Sequence, residues 1–336
     1  MKIEDLDRID TEHMYKTYNR WPEIAKESFE GDFEKIEFDE IDHIVFAGMG
    51  GSGSLGDVIS AILSKKDIHV SNIKGYLLPK TVDSKSIVIA TSASGNTEET
   101  IEILKNARNT SAKICGFSSG GLLENYCKKN KIPFQNIQMI HSPRASFTKF
   151  LYSILNVLEP VIPIKREEIK ESISSLEDTK KIISSENLMG ENNKALELAE
   201  FTRDITAIYY PAGLGSVAVR YKNCLQENTK IHAMTENVIE TCHNGIVSWE
   251  KETIVKPVLI QGKDDHFKTK ERWRILEEYF NLKKINYKKI NSIEGNILSK
   301  IVNLIYLCDY STIYAAVLNN TDPTTVDSIN YIKSKL

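Results

Sequence analysis

The sequence feature that most restricts the fold is an apolar run that ends in a cluster of glycines and serines, at residues 43–57, HIVFAGMGGSGSLGD. The apolar run predicts a buried strand, and the segment LGDVISAIL at the end of the cluster is compatible with a helix. The start of a helix presents unpaired backbone N–H groups and a partial positive charge, so this turn predicts an anion site. Ser52 and Ser54 add hydroxyl groups to it. The glycines that would let the backbone approach a ligand are Gly48, Gly50, Gly51 and Gly53.

A second turn of the same kind follows about one strand–helix unit later. Residues 86–90, SIVIA, predict another buried strand, and TSASGNTEET follows it. Ser92, Ser94 and Thr97 place hydroxyl groups around Gly95, and the glutamates after them suit the first turn of a helix. The two turns carry more hydroxyl groups than helix N-caps alone require. Together they predict a pocket for one phosphate monoester.

Composition and charge narrow the class of protein. The chain has 336 residues, which is enough for two domains. Of these residues 41% are hydrophobic and 26% are charged, as in a globular protein. The formal net charge of −3 argues against general nucleic-acid binding, which needs a basic surface. The five cysteines are odd in number and lack CxxC spacing, so neither a disulfide framework nor a zinc site is expected. We also expect no signal segment and no stretch that approaches a membrane span, and therefore a cytoplasmic protein.

The first half of the chain alternates strand-like and helix-like patterns. Short apolar runs predict strands at residues 44–47, 68–70, 87–90, 112–117 and 134–137. Helical patterns between the main runs predict a parallel sheet with helices on both faces, whose ligand crevice lies at the carboxyl ends of the strands. Residues 1–39 are expected to form a helix over the sheet edge, and Pro143 and Arg144 to open another helix.

The second half repeats this design with fewer hydroxyl groups in its turn. Strands are predicted at residues 207–210, 253–260 and 287–290, and the turn GLGSVA follows the first of them. Two helices are expected at the end of the chain, joined at NNTDP, with Pro323 at the start of the second. A duplicated α/β domain fits the length better than one long sheet.

Several motifs, taken in order, resemble the archaeal and bacterial bifunctional phosphoglucose/phosphomannose isomerases. They are GMGGSG, SASGNTEET, SPR, the pair Glu227-Asn228, the pair His243-Asn244, and DPTTVDSINYIKSKL. The resemblance runs from about residue 43 to residue 336. It implies two tandem sugar-isomerase (SIS) domains, each a flavodoxin-like, doubly wound parallel sheet. The domains expected on this basis are residues 1–160 with the N-terminal helix and the phosphate site, a helical connector at 161–193, and residues 194–336 with a C-terminal helix that returns to the active site.

The resemblance also implies an activity. Members of the family interconvert glucose 6-phosphate, or mannose 6-phosphate, with fructose 6-phosphate through a cis-enediol, without a metal or other cofactor. This chemistry needs a carboxylate base, an acid/base group for ring opening, and a cation near the developing oxyanion. By resemblance Glu227 is the base, His243 the ring-opening acid/base, Lys333 its assistant, and Arg144 the cation against the enediolate oxygens. Lys335 is the alternative to Lys333.

The family pattern extends to the substrate contacts. The phosphate-binding residues it implies are Gly50, Gly51, Ser52, Ser92, Ser94 and Thr97. Thr324 and Thr325 are the candidates for accepting the C2 epimer. The implied assembly is a homodimer with the active site at the interface and the ring-opening histidine supplied across it. The chain departs from the family at Ala93, where an aromatic residue is usual, and at Cys242 and Gly245, where the family reads Asn-His-Asn-Glu.

Three alternatives remain open on the sequence. One is a non-catalytic SIS module that senses a sugar phosphate, although such sensors usually carry a DNA-binding segment that is not evident here. The second is an isomerase of a different phosphosugar. The third is a nucleotide-binding enzyme that uses the first glycine turn, against which no convincing GxGxxG pattern with a following acidic residue and no GK[ST] triplet occurs.

Overall fold

Two parallel β-sheets organise the chain in the computed structural model, which describes residues 1–190 and 192–335. The chain divides into two units. The first-sheet unit is Arg20–Ile173, and the second-sheet unit comprises Met1–Asn19 and Ser174–Leu336. The predicted tandem of α/β domains is therefore confirmed at the level of fold class.

The elements are numbered here in chain order. The strands are β1 (His43–Ala47), β2 (His69–Ile73), β3 (Ser86–Ser92), β4 (Lys113–Ser118), β5 (Phe134–Asn136), β6 (Thr206–Tyr210), β7 (Ala233–Asn237), β8 (Lys256–Gln261) and β9 (Lys288–Asn291). The helices are α1 (Ile3–Ile9), α2 (Met14–Asn19), α3 (Trp21–Phe29), α4 (Gly50–Leu63), α5 (Glu98–Ala107), α6 (Gly121–Asn130), α7 (Phe147–Val157), α8 (Arg166–Ile183), α9 (Lys194–Phe201), α10 (Gly215–Cys224), α11 (Val238–Thr241), α12 (Phe267–Leu282), α13 (Ile297–Leu318) and α14 (Asp327–Lys333). A π-helical turn, Leu225–Thr229, directly follows α10.

The first sheet has the strand order β2-β1-β3-β4-β5 with every neighbouring pair parallel. This is the flavodoxin-like order of a doubly wound fold. Every residue of β1 and β3 is buried, as expected for central strands covered by helices on both faces. The predicted strands of this half are confirmed to within a few residues.

The second sheet has the order β7-β6-β8-β9 and is also parallel throughout. The sequence did not predict β7, because its residues AMTEN form no apolar run and only Ala233 among them is buried. The strand is nevertheless defined by its parallel pairing with β6, where Tyr209 lies opposite Glu236. Its pairing partner, rather than its own pattern, specifies this edge strand.

The prediction of one N-terminal helix over the sheet edge is wrong. Residues 1–29 form three short helices, since the buried carboxylate of Asp10 ends α1 and accepts hydrogen bonds from the backbone N–H groups of Met14 (3.0 Å) and Tyr15 (2.8 Å) at the start of α2. Helices α1 and α2 pack on α13, whereas α3 packs on α7. Residues 1–19 therefore group with the second sheet, and the unit limits differ from the limits of the expected domains.

Two predicted helix starts are also wrong. Helix α7 begins at Phe147 rather than at Pro143, because the hydroxyl of Ser146 donates to the carbonyl of Ile140 (2.7 Å) and accepts from its N–H (2.8 Å), which folds the preceding residues into a turn. The last helix, α14, begins at Asp327 instead of Pro323 and buries none of its residues.

Helix α13 corrects the expectation that no stretch approaches a membrane span. Among residues 1–190 and 192–335 it is the one helix long and apolar enough to cross a membrane, with a mean hydropathy of 1.5 over its most apolar stretch. That stretch is 89% buried inside the protein. Helix α13 packs against α9, α10 and α2, so it is the core helix of the second-sheet unit.

Candidate active site

The first predicted turn forms the amino end of α4. Gly50, Gly51 and Ser52 are its first residues, directly after β1, so their backbone N–H groups belong to the unpaired set at a helix start. The backbone N–H of Ala93 donates to Ser52 Oγ over 3.1 Å, which joins this turn to the turn after β3. The structure therefore brings the two hydroxyl-bearing turns into direct contact, as the parallel topology requires.

Hydrogen bonds among its own hydroxyl groups organise the second turn. Ser92 Oγ accepts from the backbone N–H of Gly95 (3.1 Å) and shares a hydrogen bond of 2.8 Å with Thr97 Oγ1. Ser94 Oγ accepts from the backbone N–H of Asn96 over 3.3 Å. Ser92 is buried, whereas Ser94 and Thr97 are half-buried and lie at the start of α5. A hydroxyl that accepts one hydrogen bond still has its own O–H to donate.

The glycines of the first turn have two different roles. Gly50 has a φ of 51°, and a methyl group placed on it would meet nothing within 4 Å, so its left-handed backbone faces open space. A methyl group on Gly53 would instead lie 2.7 Å from the carbonyl oxygen of Gly48. Close packing within the protein therefore requires Gly53, and the expectation that all four glycines admit a ligand is too broad.

Arg144 lies beside the first turn in the same unit. It is only 5% exposed and belongs to the turn that precedes α7. A methyl group on Gly51 would lie 3.3 Å from the carbonyl oxygen of Pro143 and 3.6 Å from Cα of Arg144. The structure thus gathers both turns and the Arg144 backbone in the first-sheet unit.

Sequence reasoning missed a third turn, SSGG, after β4. Ser119 Oγ donates to the carbonyl of Ala93 over 2.6 Å, and a methyl group on Gly95 would overlap the carbonyl oxygen of Gly120 at 1.8 Å. This turn fixes the backbone of the second turn. The available signal was a serine–glycine cluster at the end of a predicted strand, the same pattern that marked the first two turns.

In the second-sheet unit, Glu227 lies at the centre of the π-helical turn and is half-buried. Single π-helical turns are rare in proteins, and those that occur often lie at functional sites. The side chain of Asn228, which is fully buried, donates to Thr312 Oγ1 on α13 over 2.7 Å. This bond fixes the residue next to Glu227 to the core helix.

A buried ion pair anchors the helix that leads into this turn. Arg220 on α10 donates from Nη2 (2.6 Å) and Nε (2.9 Å) to the same carboxylate oxygen of Asp309 on α13. The two side chains are 2% and 0% exposed. Burial raises the pKa of the Asp309 carboxyl, and the adjacent guanidinium opposes that rise.

The C-terminal candidates differ in their surroundings. Thr325 lies near the turn that contains Glu227. Lys230 Nζ donates to the carbonyl oxygen of Thr325 over 2.7 Å and to that of Glu227 over 2.6 Å. The backbone N–H of Thr324 donates to the side chain of Asp322 over 2.8 Å. Lys333 is the exposed last residue of α14.

His243 is exposed in the turn after α11. Its side chain makes no hydrogen bond or ion pair with any residue in 1–190 or 192–335, so the unit alone does not join it to Glu227. A methyl group on Gly245 would lie 2.9 Å from the carboxylate carbon of Glu236, which fills the space beside this turn. Sequence reasoning missed Glu236 because it missed β7. Among the described residues, no three His, Cys, Asp or Glu side chains form a set that could hold a metal ion.

A family model, curated relatives and a solved structure that resemble this chain agree with one another. Residues 191–336 match the family described as the bacterial phospho-glucose isomerase C-terminal SIS domain. A bifunctional phosphoglucose/phosphomannose isomerase from Caldicellulosiruptor bescii is 30% identical over 96% of this chain and 98% of its own. Its counterpart from Thermoplasma acidophilum is 32% identical over 92% and 93%, respectively. The solved C-terminal domain of glucosamine-fructose-6-phosphate aminotransferase from Francisella tularensis aligns with 92% of this chain and 96% of its own, with a TM-score of 0.70 and 16% identity, which indicates a shared fold.

Proposed function

The chain belongs to the bifunctional phosphoglucose/phosphomannose isomerase family, and from that premise we propose that it interconverts glucose 6-phosphate and mannose 6-phosphate with fructose 6-phosphate. The observation that carries the proposal is the hydrogen bond between Ala93 N and Ser52 Oγ, because it joins two hydroxyl-bearing turns into one possible phosphate cradle. The turn GMGGSG has GxGxxG spacing, but a dinucleotide site would also need an acidic residue about twenty positions later at the end of β2, and none of the β2 residues HVSNI is acidic.

In this proposal the substrate phosphate lies in the cradle. Its oxygens accept hydrogen bonds from the first-turn N–H groups of α4 and from the hydroxyl groups of Ser52, Ser94 and Thr97. Ser92 shapes the cradle through its bonds to Gly95 and Thr97. The partial positive charge at the helix starts favours the phosphate dianion. The open backbone at Gly50 leaves room for the phosphate to approach.

Proton transfer is assigned to Glu227. In the open-chain aldose its carboxylate takes the proton from C2, and the electron pair of that bond forms the enediolate as the C1 carbonyl oxygen becomes negative. The proton then returns to C1 while a proton moves from O2 to O1, which yields the ketose with no net change in atoms or electrons. Arg144 faces the oxyanion. The support for Glu227 is its fixed turn, anchored through Asn228 and Arg220 to α13.

Ring opening is assigned to His243 and Lys333. His243 is exposed and has no bonded partner within the described chain, which fits a histidine that completes the site of a second subunit in a homodimer. Lys333 is preferred to Lys335, because the ammonium of Lys335 lies 5.8 Å from the ring centre of Tyr331 in the preceding helix α14. Thr324 and Thr325 set the acceptance of the C2 epimer. We also place the protein in the cytoplasm as part of the proposal.

A coupled assay of both aldose phosphates, run with a chelator, tests this function. Glu227→Gln should lower kcat on the order of 10²- to 10⁴-fold, since an amide cannot accept the C2 proton, while fructose 6-phosphate still binds. Glu200→Gln, at an exposed position on α9, is the matched control and should retain wild-type turnover. Near-wild-type turnover by Glu227→Gln would refute the base assignment.

The wild-type protein separates the alternatives in the same experiment. Binding of fructose 6-phosphate with no turnover of either aldose phosphate would identify a sugar-phosphate sensor instead of an isomerase. Turnover of another phosphosugar, with neither of these two accepted, would identify an isomerase of different specificity. Activity that disappears with the chelator would contradict the metal-independent mechanism.

A further inference from the structure

Lys230 ends the π-helical turn in a backbone conformation that is unusual for its residue type. Its φ is 60°, in the left-handed region that glycine or asparagine normally occupies at the end of a helix. A side chain in this conformation costs conformational energy that a glycine would avoid. At this position the side chain also makes contacts that a glycine could not make.

The contribution visible in the structure is a set of three hydrogen bonds from one ammonium group. Lys230 Nζ donates to the carbonyl oxygens of Glu227 (2.6 Å), Thr325 (2.7 Å) and Asp322 (3.3 Å). An ammonium has three N–H donors, which match these three acceptors. Glu227 belongs to the turn at the end of α10. Asp322 and Thr325 lie 92 and 95 residues after Lys230 in the chain.

The segment held in this way precedes the C-terminal helix. Asp322 is also held by Thr11, whose hydroxyl donates to Oδ2 over 2.7 Å, and its other carboxylate oxygen accepts from the N–H of Thr324. Helix α14 starts at Asp327 and buries no residue. Its orientation is therefore set mainly by the residues before it, and Lys333 moves with it.

We propose that Lys230 is a positioning residue that ties the turn carrying Glu227 to the Asp322–Thr325 segment and, through that segment, to α14 and Lys333. The proposal rests on the proposed function where it treats Glu227 and Lys333 as reacting groups. Without the ammonium, the turn and the C-terminal segment lose a shared anchor. Small displacements of reacting groups are costly for turnover, whereas the phosphate contacts lie on other residues.

The chain offers a matched control for this residue. Lys284, after α12, has a φ of 57° and is exposed, and its side chain makes no hydrogen bond or ion pair with residues 1–190 or 192–335. Lys230→Gly and Lys284→Gly thus relieve the same backbone conformation, but Lys230→Gly alone removes the three carbonyl contacts. Neither change should prevent folding, because glycine favours this backbone.

The first readout is steady-state kinetics with fructose 6-phosphate. Lys230→Gly should lower kcat about tenfold to a hundredfold, with KM changed by no more than about threefold, since the misplaced groups act in the chemical step. Lys284→Gly should leave both constants unchanged. A Lys230→Gly variant with kcat within about twofold of the wild type would overturn the positioning role.

The second readout does not depend on activity. Amide hydrogen exchange of residues 321–333 should be about tenfold faster in Lys230→Gly than in the wild type and unchanged in Lys284→Gly, because a local anchor limits local opening. Unchanged exchange in Lys230→Gly would overturn the proposed link. If the wild-type protein lacked isomerase activity, the proposed function would fail, and this exchange measurement would still decide whether Lys230 holds the segment.

Discussion

The glycine turns of the two sheets look alike in sequence and differ in structure. After β1, Gly50 faces open space, and Ser52 accepts a hydrogen bond from the neighbouring turn. After β6, Gly213 also has a positive φ, of 92°, and faces open space, but the buried hydroxyl of Ser216 has no hydrogen-bond partner among the described residues. The same strand–turn–helix design thus brings hydroxyl-bearing turns together in the first-sheet unit, and the hydroxyl of the corresponding turn after β6 stays unbonded among the described residues.

The second-sheet unit carries its candidate chemistry elsewhere. Glu227 lies at the far end of the helix that starts at Gly215, in a π-helical turn, and the buried pair Arg220–Asp309 anchors that helix. The comparison teaches that a duplicated fold supplies two equivalent strand ends without supplying two equivalent sites. Bonded hydroxyl groups mark the turns of the first-sheet unit, and a buried ion pair marks the second.

The largest expected effect comes from breaking the buried charges. Asp309→Asn should lower the free energy of unfolding by about 3–5 kcal/mol, because it leaves the Arg220 guanidinium buried without its counterion. Hydrogen exchange of amides in α10 and α13 would measure the change within the second-sheet unit. Asp178→Asn, at an exposed ion pair with Lys181, is the control and should leave those amides unaffected. Equal protection in Asp309→Asn and the wild type would show that the pair does not anchor α10.

The next effect sharpens the contrast between the two serines. Ser52→Ala removes a hydroxyl of the proposed cradle and should raise KM for fructose 6-phosphate about tenfold, the loss expected for one hydrogen bond to a charged group. Ser216→Ala removes a buried hydroxyl that has no partner and should leave KM unchanged, with stability equal to or above that of the wild type. Similar KM values for the two variants would remove the distinction between the turns.

The contrast also explains what could be predicted from sequence. The turns at Ser52 and Ser92 were predictable because strand, glycine, hydroxyl and helix follow one another within a few residues. The strand containing Glu236 and the role of Lys230 were not, since each depends on partners distant in the chain. The break at Asp10 depends on bonds from its carboxylate to nearby backbone N–H groups, which the helical periodicity of residues 1–39 does not reveal. Resemblance to a family indicated Glu227, but the π-helical turn that holds it depends on contacts with α13.

The smallest expected effect is a pH dependence confined to the first sheet. Burial, followed by the neighbouring His69, lowers the pKa of His43, whose other charged neighbours are Asp83 and Asp42. Between the folded-state pKa of His43 and its ordinary pKa of 6.5, the unfolded chain therefore binds more protons than the folded one. Stability from this residue is complete above that pH and is lost as the pH falls towards the folded-state pKa.

Hydrogen exchange of β1 amides between pH 5 and 7, corrected for the intrinsic rate, checks this expectation. Protection should rise with pH in the wild type, and His43→Gln should flatten the profile. The amides of β6, in the other unit, provide the internal reference. A profile that is flat in the wild type, or equally steep in β6, would contradict the assignment to His43.

The most direct test of the account is deuterium incorporation at C1 of fructose 6-phosphate in D₂O at saturating ligand, measured for the wild type, Ser52→Ala and Glu227→Gln. We predict incorporation by the wild type and, once saturated, by Ser52→Ala, but none above background by Glu227→Gln despite bound ligand. Wild-type incorporation by Glu227→Gln would contradict the claim that this carboxylate moves the proton.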